Sequence, residues 1–135
     1  MTPVSLRRVA LAGMVALLVG GAACAETPEP AQDDSIEALR TRANAGDADA
    51  QTTLGVRYNN GAGVPQDDTE AVAWHRKAAE QGVADAQFNL GLAYYDGEGV
   101  PQDDGEAYLW ANLAATYADA SDRDRYAELL DRTGE

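Results

Sequence analysis

The chain has 135 residues, one cysteine and a formal net charge of −13, from 23 acidic and 10 basic side chains. This length has room for one domain, and a single cysteine excludes a disulfide within the chain. A surface this acidic repels nucleic-acid phosphates and anionic lipids, so it argues against both as ligands and favours a basic partner protein or peptide.

The first 25 residues have the layout of a secretory signal peptide. Arg7 and Arg8 precede an uncharged apolar run over residues 9–19, and small residues follow up to Ala25. A membrane-spanning helix needs roughly 20 apolar residues, which is more than this run supplies. We therefore predict that residues 1–25 are removed during export and that no membrane-inserted segment remains.

Two processing outcomes overlap at Cys24. Ala23-Cys24-Ala25 matches an A-x-A cleavage site, which releases a soluble chain beginning at Glu26. The segment 21–24 also resembles the lipobox of bacterial lipoproteins, in which the cysteine becomes a lipidated first residue, although Gly21 replaces the usual large aliphatic residue. We expect a soluble secreted or periplasmic protein and keep lipidation at Cys24, with anchoring to the bacterial envelope, as the alternative.

An acidic linker and a short helix follow. Residues 26–34 contain two prolines and four carboxylates with little that is apolar, which is typical of a flexible segment. Ser35 is suited to cap a helix, Ile36, Leu39 and Ala43 lie at helical spacing, and Gly46 suits a helix end. We predict an N-terminal capping helix near 35–45, within a segment 35–46.

Residues 46–81 are followed at once by a near copy of themselves, residues 82–117. The two segments align without a gap and agree at 20 of 36 positions. Repeats of this length mark stacked supersecondary units, because one such unit cannot bury its apolar face alone.

Each repeat is predicted to contain two amphipathic helices. Ala50, Leu54 and Tyr58 form one stripe of the first helix, which ends at Gly61. A Gly-x-Gly-Val-Pro turn leads to an Asp-x-x-Glu capping pattern at Asp67, which begins the second helix. The inward stripe of this second helix comprises Ala71, Trp74 and Ala78 in the first copy and Ala107, Trp110 and Ala114 in the second. The predicted helices lie near 48–60, 68–80, 84–96 and 104–117.

Glycines and the C-terminal segment complete the prediction of six helices. Gly55 and Gly91 lie inside first helices, where glycine costs about 1 kcal/mol relative to alanine. We expect each to permit close contact with the paired helix, near Trp74 or Trp110. A capping helix near 121–132, within a segment 118–135, has Tyr126, Leu129 and Leu130 on one face.

The motif Ala-Gln-x-x-Leu-Gly-x-x-Tyr-x-x-Gly-x-Gly-Val, beginning at Ala50 and again at Ala86, resembles the Sel1-like repeat, a relative of the tetratricopeptide repeat. The second copy departs from the pattern only at its close, where Ala118 replaces Gly82. The resemblance covers residues 37–132. It implies an all-α fold, an α-solenoid of two full repeats between an N-terminal half repeat and a C-terminal capping helix, that binds proteins or peptides.

No catalytic, cofactor or metal site is predicted. The paired aspartates at 67–68 and 103–104 invite a calcium or magnesium interpretation, but helix capping explains them better, because such a cation needs six or more converging oxygens. His75 is the only histidine and lacks the partners that catalysis or a transition metal would need, so we expect an exposed structural residue. We therefore predict that the protein is not an enzyme.

Positions that differ between the two copies are the candidates for partner binding, since shared positions build the fold. The resemblance implies that first helices line a concave face, and Tyr95 adds an aromatic side chain of the kind found at binding hot spots. We predict an exported interaction scaffold of the bacterial cell envelope. A self-associating structural envelope protein and an enzyme with an unrecognised site are the alternatives. The candidate residues are Thr53, Arg57, Asn60, Asn89, Ala93, Tyr95 and Asp96.

Overall fold

The computed structural model describes residues 34–134. The predicted signal peptide and Cys24 lie outside the described residues, as does the predicted linker except for Asp34. Within residues 34–134 the chain forms six helices and no strand, which confirms the all-α prediction. The helices are α1 (Ile36–Asn44), α2 (Ala48–Asn60), α3 (Asp68–Glu80), α4 (Ala84–Asp96), α5 (Asp104–Tyr117) and α6 (Arg123–Thr133).

The predicted caps account for the helix boundaries. The hydroxyl of Ser35 accepts a hydrogen bond from the backbone N–H of Ala38, and the Asp67 carboxylate accepts one from that of Glu70. Asp103 repeats this cap at α5. Gly61 and Gly97 end α2 and α4 with φ values of 64° and 71°, in the left-handed region that only glycine adopts readily.

The helices stack as a solenoid. Each helix packs mainly on its neighbours in the sequence, and α4 also contacts α6. The stripe of Ala50, Leu54 and Tyr58 is buried together with Leu39 of α1 and Trp74 of α3. A second apolar cluster joins α3 to Ala86 and Leu90 of α4 across the boundary between the repeats, as expected when each repeat covers the apolar face of the next.

The two tryptophans are not equivalent. Trp74 is buried, with 8% of its surface exposed, whereas Trp110 is only half-buried and lies at the edge of the apolar cluster between the repeats. Both belong to the predicted inward stripe. The stripe is therefore complete in the first repeat and partly open in the second.

Gly55 and Gly91 each lie close to the paired helix, as predicted, and the atoms they face belong to residues near the tryptophan rather than to the tryptophan itself. A Cβ atom on Gly55 would lie 2.6 Å from a ring carbon of His75. One on Gly91 would lie 3.2 Å from the Ala107 oxygen and 3.3 Å from the Ala111 nitrogen. The His75 ring therefore occupies the space beside Gly55, and the backbone of α5 occupies the space beside Gly91.

His75 is buried rather than exposed. Only 1% of its surface is accessible, and its Nε2 lies 3.3 Å from Nδ2 of Asn59. The absent Cβ of Gly55 provides the space that its ring occupies, which is why the prediction of an exposed histidine was wrong. Burial lowers the pKa of His75 from 6.5 to about 4, so the ring is neutral in the folded protein.

Candidate functional site

Two polar contacts recur with the 36-residue period and fix the relation between successive helices. Arg40 donates to the hydroxyl of Tyr58, and Arg76 donates to that of Tyr94. The side-chain amide of Gln51 donates to the Ala43 carbonyl at 2.9 Å, and that of Gln87 makes the matching bond to the carbonyl of Ala79. These contacts position the helices relative to each other and are therefore structural.

The first helices of the repeats, α2 and α4, share one surface with α6, which we call the first-helix face. The α6 helix joins them because Arg125 lies 36 residues after Asn89 of α4. An open cavity of about 340 Å³ lies on this face, lined by Thr52, Val56, Asp85, Asn89 and Arg125. The surface is therefore indented where α2 meets α4.

A second cavity of about 320 Å³ continues the first-helix face toward the C-terminus. The cavity is formed between α4 and α6, and its lining comprises Phe88, Leu92, Arg125, Glu128, Leu129 and Arg132. Arg125 lines both cavities, and its guanidinium lies 4.5 Å from the centre of the Phe88 ring. The two cavities thus form one row with a cation between them.

The carboxylate of Asp85 is already engaged at the edge of this row. The buried hydroxyl of Tyr126 donates to Asp85 at 2.7 Å, and burial, followed by this contact, raises the pKa of Tyr126. Tyr126 therefore stays neutral as a donor. It anchors α6 to α4 and so maintains the shape of both cavities.

The sequence-predicted candidates do not form one cluster. Asn89 lines the first cavity, whereas Thr53, Asn60 and Asp96 are exposed on α2 and α4 without lining either of the two cavities. Arg57 is half-buried. The candidates as a set remain a prediction.

Two further candidates are engaged in packing. Ala93 packs against the apolar cluster between the repeats. Tyr95 packs against the C-terminal cluster and lies under Arg132, whose guanidinium is 4.5 Å from the ring centre. A partner would meet Tyr95 together with this arginine.

Sequence reasoning missed the residues that line the cavities one position away from the candidates. Thr52 and Val56 lie beside Thr53 and Arg57, and they also differ between the copies, where Phe88 and Leu92 replace them. The difference between copies was therefore a usable signal at these positions. The comparison of the two 36-residue copies does not show which side of α2 faces α4, so it could not show that Thr52 and Val56 line the cavity.

A third cavity, of about 580 Å³, lies away from the first-helix face, beside Trp110. Gln87, Leu113 and Tyr117 line it together with the end of α3 and the turn after it, residues 79–82. The indole N–H of Trp110 donates to the Glu106 carboxylate at 3.2 Å. This cavity combines an aromatic surface, an amide and nearby carboxylates.

The described part of the chain offers no metal site and no membrane span. Among residues 34–134, no group of three or more His, Cys, Asp or Glu side chains is placed to hold a metal ion. No helix in this range has the length and apolar character needed to cross a bilayer.

These helices, caps and recurrent contacts define an α-solenoid of the helical-repeat class. The family model of the Sel1 repeat matches residues 48–83 and 84–116. The chain therefore belongs to the Sel1 repeat family, whose members are typically non-catalytic scaffolds for protein–protein interaction. No curated protein matches the chain.

Two solved structures are similar to this chain. A protective antigen of uropathogenic Escherichia coli strains that displays an SLR fold is 44% identical, over 62% of this chain and 18% of that one, with a TM-score of 0.61. A Sel1 repeat protein from Oxalobacter formigenes is 38% identical, over 72% of this chain and 27% of that one, with a TM-score of 0.66. The chain thus spans 18% and 27% of these relatives.

Proposed function

We propose that the protein is an exported interaction module of the bacterial cell envelope, which binds a protein or peptide and catalyses no reaction. The observation that carries the proposal is the row of two open cavities along the first-helix face. Their lining differs between the repeats, as at Thr52 and Phe88, and includes the exposed side chains Val56 and Arg125. Membership of the Sel1 repeat family supports the same class of function.

The export part of the proposal is supported by the sequence of residues 1–25. Basic residues, an apolar run and small residues occur there in the order of a secretory signal peptide. We propose the soluble form beginning at Glu26, and intact-mass measurement of the exported protein tests it. A mass that includes acyl chains on Cys24 would replace it with the lipid-anchored form.

Site-specific crosslinking in bacteria that export the protein tests the binding face. A photoreactive residue at Val56 is expected to give a defined adduct with a partner, because Val56 is exposed and lines the first cavity. The control places the same residue at Ala73, which is exposed on α3 of the same repeat. Equal adducts from both positions, or none from Val56, would contradict binding at the first-helix face.

Self-association is the second candidate function. It is favoured by two large apolar side chains of α5, Tyr108 and Leu109, which are 47% and 48% exposed. Burial of such side chains between two copies would stabilise a dimer. Sedimentation equilibrium of the purified protein separates the two functions, since a monomer at micromolar concentration would rule out a stable dimer.

A further inference from the structure

Gln87 has a buried side-chain oxygen without a hydrogen-bond partner among the described residues. Only 3% of the residue is exposed, and its Nε2 donates to the Ala79 carbonyl, but Oε1 accepts nothing within residues 34–134. An unsatisfied buried acceptor is costly and uncommon in folded proteins. Gln87 lines the cavity of about 580 Å³ beside Trp110, so a donor that reaches Oε1 from this cavity would satisfy it.

The first repeat shows which groups complete the same arrangement. Gln51, the counterpart of Gln87, accepts a hydrogen bond at Oε1 from Nε2 of Gln81 at 2.8 Å. The Nζ atom of Lys77 lies 4.3 Å from the centre of the Trp74 ring, which is the counterpart of Trp110. The first repeat therefore supplies an N–H donor to its glutamine and a cation to the face of its tryptophan.

The second repeat lacks both groups. Tyr117 replaces Gln81 and Leu113 replaces Lys77 at the matching positions, 36 residues later. Neither side chain carries a positive charge, and Tyr117 is 64% exposed at the cavity. The glutamine and the tryptophan are retained, whereas the side chains that would complete their contacts are not.

One side chain combines the two missing groups. A guanidinium is a planar cation that stacks on an aromatic face, and it carries five N–H donors. An ammonium has three N–H donors and a compact charge but no planar face to stack on the indole, and a neutral amide lacks the charge. Arginine is therefore the side chain that best replaces Lys77 and Gln81 together.

The charges around the cavity favour the same ligand. Glu80 lines it, and the carboxylate of Glu106 accepts the indole N–H of Trp110. The chain as a whole carries a net charge of −13, which attracts a basic segment over longer distances. Carboxylates beside the indole also offer further acceptors for guanidinium N–H groups.

We propose that the cavity beside Trp110 binds an arginine side chain on a basic segment of a partner protein, with the guanidinium over the indole and an N–H donated to Gln87 Oε1. The proposal rests on the proposed interaction function and adds a chemical class of partner. It also adds a contact site separate from the first-helix face.

Nuclear magnetic resonance titration with a short peptide tests this site. The probe is acetyl-Gly-Gly-Arg-Gly-Gly-amide, and the matched peptide carries citrulline, which keeps the planar shape and three of the five N–H donors but lacks the charge. The arginine peptide is expected to shift the assigned Trp110 indole N–H resonance in a saturable manner. We expect at least tenfold weaker binding of the citrulline peptide, since the cation–π and carboxylate contacts need the charge.

A filled variant supplies the decisive comparison. The double change L113K/Y117Q restores the residue types of the first repeat, so the protein's own side chains should occupy the site and weaken peptide binding at least tenfold. The control N112K/T116Q introduces the same lysine and glutamine, at the same spacing, at exposed positions of α5 that do not line the cavity. It should bind the peptide like the wild type, and circular dichroism verifies that both variants remain folded.

The outcomes separate this proposal from the interaction function. No shift at Trp110, or equal affinity of the wild type and L113K/Y117Q, overturns the arginine site. If the peptide instead shifts only resonances of the first-helix face, the arginine site fails while the interaction function stands. If L113K/Y117Q abolishes self-association in sedimentation experiments, the occupant is a second copy, which overturns the assignment to a partner protein.

Discussion

The first repeat supplies its own side chains to the face of Trp74 and to Gln51, whereas the second repeat leaves the matching contacts of Trp110 and Gln87 open. An open cavity of about 460 Å³ also lies beside Trp74, on the side of Arg40 and Tyr58. Trp74 is buried under Lys77, and Gln81 completes the hydrogen bonds of Gln51. Trp110 is half-buried, and Gln87 keeps an unpartnered oxygen within the described residues. We call the helices, caps and core residues that the two repeats share the helical frame. Two repeats with the same helical frame can thus differ in role when the side chains that contact the tryptophan and the glutamine change.

The tryptophans give the largest expected difference between the repeats. Trp74→Ala should lower the free energy of unfolding by about 3–5 kcal/mol, because truncation of a buried aromatic leaves a cavity. Trp110→Ala should cost about 1–2 kcal/mol, since a half-buried ring removes less apolar surface from water. Urea unfolding followed by circular dichroism measures both, and equal losses would show that the two rings are packed alike.

His75, whose counterpart is Ala111, should make stability depend on pH. The folded protein holds the ring neutral with a pKa of about 4, whereas the unfolded chain binds a proton near 6.5. The contribution of His75 to the free energy of unfolding is then fully present above pH 6.5. It falls as the pH drops toward 4, because the unfolded state binds more protons than the folded state. The loss at pH 5 is about 2 kcal/mol.

The variant His75→Ala isolates this contribution. The carboxylates should titrate alike in both proteins. Between pH 6.5 and 5, the free energy of unfolding of the variant should therefore lack the part of the decrease that His75 causes in the wild type. Chemical denaturation at a series of pH values gives the comparison. Parallel pH profiles for the two proteins would mean that the imidazole is protonated as easily in the folded state as in the unfolded chain.

The helical glycines should respond differently to alanine. Gly55→Ala places a methyl group 2.6 Å from the buried ring of His75, so overpacking should outweigh the gain in helix propensity by about 1–2 kcal/mol. Gly91→Ala meets atoms no closer than 3.2 Å and should cost less.

A double variant tests the cause of that difference. His75→Ala combined with Gly55→Ala should show a favourable coupling in a double-mutant cycle, because the smaller side chain admits the new methyl group. Thermal or urea unfolding of the four proteins provides the cycle. Strict additivity would mean that the ring of His75 is not what Gly55 makes room for.

The arginine–tyrosine contacts are shared and should give the smallest and most similar effects. Tyr58→Phe and Tyr94→Phe each remove the hydroxyl that accepts from Arg40 or Arg76. We expect a loss of about 1 kcal/mol or less in each case, since a partly exposed hydrogen bond contributes little net stability. A clearly larger loss in one repeat would break the equivalence of this part of the frame.

The helices and their boundaries could be predicted from the sequence because the signals that define them are local and occur in both repeats. Apolar spacing, the Asp67 and Asp103 caps and the terminal glycines each act within a few residues, so the helices could be read without knowing their neighbours. The burial of His75 could not, because it depends on the missing Cβ of Gly55 on another helix. The cavity beside Trp110 likewise depends on how α5 meets the end of α3.

The most direct test of this divergence is a crystal structure of the L113K/Y117Q variant. The account holds that the second repeat keeps the helical frame and lacks only the counterparts of Lys77 and Gln81. The introduced amide nitrogen should then lie within hydrogen-bond distance of Gln87 Oε1. The introduced ammonium should then lie over the Trp110 ring, as Lys77 lies over Trp74. Introduced side chains that point into solvent, with Gln87 Oε1 still unpartnered, would contradict the account.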